Sequence, residues 1–138
     1  MILSLILSLI FLTLAIIHFN WVLGGTFGFA ESLPTKETGE RVLNPKMLDS
    51  AIVAFGLLAS ACFYFLKSEI IEYEISTWVS KYGSWIIPSI FLLRAFGDFK
   101  YVGFFKKIKS TPFGKLDSTF FSPLCLVIGG IGVFIAFR

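Results

Sequence analysis

The sequence is poor in charge. Only 15% of its 138 residues are Asp, Glu, Lys or Arg, against 56% hydrophobic. A soluble domain carries roughly 25% charged residues, and a chain this short has too much surface to cover with so few. Much of its solvent must therefore be lipid, and 17 Phe residues agree, since Phe needs no hydrogen-bond partner in hydrocarbon. There is one histidine, His18, and there are two cysteines, Cys62 and Cys125, each inside an apolar run. That donor set gives no zinc-ligand spacing and no CxxC pair, so the cysteines read as small core-like residues and no cofactor or metal is expected. A Gly-rich phosphate loop and a Gly-x-Ser-x-Gly elbow are also missing. The formal charge of +3 is not organised into a nucleic-acid surface. No nucleic acid is expected as a partner.

What is present is four apolar segments. The first, about 2–23, would span about 33 Å as a helix, enough for the roughly 30 Å hydrocarbon core of a bilayer. No Lys or Arg precedes it and it is too long for the core of a secretion leader, so it reads as a spanning helix. Gly24-Gly25 ends it. The second segment, about 47–66, contains Ala51, Ala54, Gly56, Ala59, Ser60 and Cys62, residues small enough for close helix contact. Residues 67–81 fit either a short interfacial helix or a turn. The third segment, about 78–97, contains Pro88, which predicts a kink. For the fourth, Ser122-Pro123 resembles a helix start, but a start near Asp117 gives a full span to residue 138. A packing face is expected there from Gly129, Gly130, Gly132 and Ala136. The predicted fold is an all-α integral membrane four-helix bundle forming one transmembrane domain over 1–138.

Lys and Arg in the connections set orientation. The first and third connections carry eight, namely Lys36, Arg41, Lys46, Lys100, Lys106, Lys107, Lys109 and Lys115. The other side carries three, Lys67, Lys81 and Arg138. The basic side should be cytoplasmic and both termini outside. Lys106, Lys107 and Lys109 would lie flat on the anionic leaflet.

Chemistry concentrates at that same end. His18 and Trp21 share a helical stripe near the end of segment one, a position that also suits a plain interfacial anchor. Arg94 follows a long apolar run, where arginine is costly and usually faces protein or water. It either pairs within the bundle, with Asp98 or Asp117, or snorkels to the headgroups. Continued as a helix, Arg94, Gly97, Asp98 and Tyr101 form one stripe. His18, Trp21, Arg94, Asp98, Tyr101 and Asp117 are therefore the candidate ligand-binding residues, with Trp21 and Tyr101 as flat walls with polar edges.

These residues carry a resemblance. His18-Phe-Asn-Trp21-Val-Leu-Gly24-Gly25 is followed by Pro34. Then come Arg94-Ala-Phe-Gly97-Asp98-Phe-Lys-Tyr101-Val-Gly103-Phe-Phe-Lys106-Lys107, Phe113, Asp117 and Ser122-Pro123-Leu124-Cys125-Leu126. Over nearly its whole length the chain resembles the bacterial domain-of-unknown-function 3995 family of small membrane proteins. The resemblance implies a four-helix protein of a bacterial inner membrane, with His18, Trp21, Arg94, Gly97, Asp98 and Asp117 as motif positions. It implies no reaction.

Three functions compete on these observations. The first is binding of a membrane lipid or other amphipathic small molecule, with its head at the polar cluster. The second is an accessory subunit in a larger membrane complex or homo-oligomer. The third is a membrane enzyme using His18 as acid–base.

Overall fold

The computed structural model describes residues 1–138. It contains four helices and no strand: α1 (Ile2–Val22), α2 (Met47–Leu66), α3 (Thr77–Phe96) and α4 (Pro112–Ala136). Each boundary has a local cause. Gly24, with φ +89°, turns the chain after α1. The Lys46 N–H donates to Asp49 Oδ2 at 2.8 Å, which caps the start of α2. Gly97, with φ +83°, ends α3. At α4 the Thr111 hydroxyl accepts the Gly114 N–H at 2.9 Å, and Pro112 occupies the first turn. The fourth helix thus begins five residues before the Asp117 start read from the sequence. Ser122-Pro123, the other reading, lies inside it. Residues 67–76 form a turn and no interfacial helix.

Pro123 has no N–H to donate and would crowd a regular α-helix. The helix widens into a π segment at Asp117–Phe121, closed by the Ser122 N–H donating to the Asp117 carbonyl. This widening brings residues five apart onto one side, which regular α geometry does not do.

Helix α1 packs along α2, and α3 packs along α4, with α4 also reaching α1. The centre is Leu7, Phe11, Ala15, Leu57, Ala61, Phe63, Tyr64 and Ile128. Phe11 joins the two pairs: its ring stacks on Tyr64 at 5.7 Å and meets Phe91 edge-on at 5.1 Å. Ser8 donates across the first pair to the Ala61 carbonyl at 2.8 Å. Gly129 lies against Leu92, and Gly132 against Pro88, so side chains there would force α3 and α4 apart. Gly130 faces open space and is not part of that contact. Cys62 is exposed and Cys125 half-buried, so neither is a core residue.

Three helices, α1, α2 and α4, are long and apolar enough to cross a membrane. Helix α3 is long enough but less apolar. Even so, it exposes Ile86, Ile90 and Leu93 along one outer stripe, as α1 exposes Ile6, Leu9 and Ile16. Apolar surface on every helix of a chain this small suits hydrocarbon rather than water.

Candidate functional site

Asp117 begins the π segment and is fully buried. Its Oδ1 accepts Arg94 Nη2 at 2.8 Å. Its Oδ2 accepts the Gly103 N–H at 2.8 Å, Lys106 Nζ at 3.1 Å and the Ser122 hydroxyl at 3.1 Å. The Ser122 contact depends on the π turn, since it joins residues five apart. Lys106 is as buried as its partner, with 1% of its surface exposed. Its ammonium also donates to the Gly103 carbonyl at 3.0 Å and to Ser118 Oγ at 2.6 Å. An ammonium has three donors, and all three are used. The carboxylate thus accepts four hydrogen bonds, two of them from cations.

The loop between α3 and α4 delivers two of these groups, and its glycines explain how. Gly97 and Gly103, with φ +83° and +89°, lie back to back. A Cβ on Gly97 would strike the Val102 carbonyl, and one on Gly103 would strike the Phe96 carbonyl. Only glycine fits such a combination of conformation and contact. Inside the loop Asp98 Oδ1 accepts the N–H groups of Lys100, Tyr101 and Val102 at 2.9, 2.8 and 3.0 Å. Burial acts to raise the Asp98 carboxyl, but these backbone donors prevail and hold it below the usual carboxylate range. The folded loop then places the Gly103 N–H and Lys106 over Asp117.

On the other side of Arg94 is a cavity of about 520 Å³ between the two helix pairs. Its walls come from the end of α1, the start of α2, the end of α3 and the start of α4. They are mostly apolar, with Leu57, Phe91, Phe121, Leu124 and Ile128 prominent, and His18, Ser32, Asp49, Ser50 and Arg94 supply polar groups. The residues after α1 fold back to close one side with Phe29, Ser32 and Leu33. That fold-back is held by the Trp21 indole N–H donating to the Phe27 carbonyl at 2.6 Å, and by Trp21 against Phe29 at 5.5 Å. His18 Nδ1–H donates to the Leu14 carbonyl at 2.8 Å, which leaves Nε2 as the ring nitrogen without a protein partner. The His18 and Trp21 rings lie 4.4 Å apart.

Arg94 makes one hydrogen bond to protein, through Nη2. Nη1 is buried and has no partner, although the side chain as a whole is 32% exposed. A guanidinium has five donors, and an unpartnered buried one carries a desolvation cost until something accepts from it.

The six residues singled out from the sequence therefore separate into three groups. His18, Trp21 and Arg94 share the cavity wall. Asp117 is Arg94's partner and lies behind it. Asp98 and Tyr101 are elsewhere: α3 stops at Phe96, so the helical stripe from Arg94 to Tyr101 does not exist, and Asp98 organises a loop and does not pair with Arg94. The Trp21 N–H is already used, so the indole offers the cavity a flat face and no polar edge. Lys106 corrects another expectation. It points into the protein instead of lying on a membrane surface with Lys107 and Lys109. Cys125, in the cavity wall, was not among the expected site residues.

Together these features define a small helical bundle, apolar on its outside, with a buried ion cluster behind an apolar cavity at one end. Residues 11–132 match the family described as Protein of unknown function (DUF3995), and the chain belongs to it. No curated protein and no solved structure matches the chain.

Proposed function

We propose that this protein binds an amphipathic small molecule within the membrane, its tail between the helix pairs and its polar head at Arg94. The observation that carries the reading is Arg94, whose buried Nη1 has no partner, among the lining residues of a mostly apolar cavity. Ligand sites typically have about 300–1,000 Å³ and a few polar groups on an apolar lining. Asp117 fixes the guanidinium from behind, so the remaining donors are pre-organised for an anionic or carbonyl head. His18 Nε2 is free to accept from a hydroxyl, and Trp21 and Phe29 supply flat apolar wall. An enzyme using His18 has less support, because its one protein hydrogen bond is to a backbone carbonyl and no carboxylate orients it.

A photoactivatable fatty acid with a diazirine in its chain tests the location. Label should concentrate on peptides containing Phe91, Phe121, Leu124 and Ile128. Label confined to the outer residues Ile6, Leu9 and Phe134 would mean bulk lipid contact and no occupied cavity, which favours an accessory-subunit role.

The cavity end carries the basic connections, so we place it at the cytoplasmic leaflet of a bacterial inner membrane, with both termini outside. Burial of Lys106 removes one charge from that side and leaves the bias seven to three. In a variant lacking Cys62 and Cys125, single cysteines at position 36 or 107 should resist an impermeant thiol reagent on intact cells. Rapid labelling at both would reverse the orientation.

A further inference from the structure

Lys106 never reaches the cavity, yet it sets the charge behind it. Two cations, Arg94 and Lys106, share one carboxylate, Asp117, so the cluster carries one surplus positive charge. The other members are neutral: the Gly103 N–H, Ser118 and Ser122. Surplus charge in a low-dielectric site is costly unless something compensates it. Lys106 has no donor left to offer, since all three are engaged. Arg94 is the member with donors unused, and it is the one that lines the cavity. Two further charges lie near the cavity and oppose one another. Asp49 in its wall is exposed and caps α2, where a helix N-terminus partly compensates it. Arg41 lies over the ring of the wall residue Phe29 at 5.4 Å.

We infer that the site selects a head carrying a single negative charge, a carboxylate on one acyl-type chain, and that Lys106 is the residue that imposes this selection. This rests on the cavity being a ligand site as proposed above. A monoanion at Arg94 makes the cluster with its ligand electrically neutral. A neutral amide or alcohol leaves one positive charge uncompensated, and a phosphate dianion leaves one negative. Without Lys106, Arg94 and Asp117 form a neutral pair with no reason to prefer an anion.

Competition against labelled palmitate in mild non-ionic detergent tests the inference, using palmitate, palmitamide, hexadecanol and hexadecyl phosphate in mildly alkaline buffer. Charged hydrogen bonds contribute about twice what neutral ones do, so unmodified protein should prefer palmitate to palmitamide about tenfold or more. It should also prefer palmitate to hexadecyl phosphate. In Lys106→Met the preference for palmitate over palmitamide should vanish, while Lys107→Met keeps it. Equal competition by palmitate and palmitamide in the unmodified protein overturns the inference without recourse to any variant. A preference that persists in folded Lys106→Met overturns the role of Lys106. If neither palmitate nor any analogue binds, the reading of the cavity as a ligand site fails instead.

Discussion

Asp117→Asn should lower stability by about 3–5 kcal/mol, the usual effect of removing one member of a buried ion pair. The substitution keeps shape and removes charge. Arg94 and Lys106 would then face each other as two cations in the protein interior with no counter-ion. The amide must also turn either its oxygen or its NH₂ toward Oδ2's three donors, the Gly103 N–H, Lys106 and Ser122. In the second case a donor meets donors, and a buried polar group loses its partner. Net stability of a domain is only about 5–15 kcal/mol, so thermal unfolding in detergent should shift by many degrees. Asp98→Asn is the informative comparison. Its Oδ1 accepts three backbone N–H groups in an exposed loop, and an Asn oxygen serves the same purpose, as it does in many turns. That variant should lose about 1 kcal/mol or less. Equal losses in the two would mean that Asp117 is not the hub of the cluster.

The two aspartates also mark where sequence reasoning reaches its limit. Both are possible partners for Arg94 on spacing and topology, and only Asp117 is one. The spacing of Arg94, Gly97, Asp98 and Tyr101 assumes a helix that continues. Gly97 followed by Asp98 is equally a helix stop with a turn-forming side chain after it, and that reading places Asp98 correctly. The start of α4 is read at Asp117 in preference to Ser122-Pro123, and the actual start, Thr111-Pro112, has the same cap-and-proline form as Ser122-Pro123 but is in neither reading. Other features followed directly from one-dimensional information. The apolar runs gave four helices. Alternation of direction brought His18, Trp21 and Arg94 to one end, where the structure has them in a common wall. Lys106 was not legible. It stands between Phe105 and Lys107 in a basic stretch, and nothing in composition separates the inward lysine from its outward neighbours. Its direction is set by the interlocked Gly97 and Gly103, a three-dimensional fact. The π segment was equally hidden: Pro123 follows it closely, but Pro88 lies inside α3 without one.

Arg94→Met should behave differently from Asp117→Asn, and the contrast separates architecture from binding. Without Arg94, Asp117 still has Lys106, the Gly103 N–H and Ser122, so its charge remains compensated. The Arg94 side chain is also 32% exposed, and exposure weakens a pair. The variant should therefore fold, with a loss well below that of Asp117→Asn. What it lacks is the only guanidinium in the cavity wall. Methionine replaces the unbranched aliphatic stem of arginine and preserves the apolar lining, so a change in binding reports chiefly on the lost guanidinium.

Native mass spectrometry of the unmodified protein and Arg94→Met, released from mild detergent, tests the central claim most directly. The unmodified protein should carry one adduct of discrete mass in the range of a single-chain amphipath, and Arg94→Met, folded by the same criterion, should carry none. An unmodified protein that flies without an adduct, or an adduct retained in equal amount by Arg94→Met, would contradict the account.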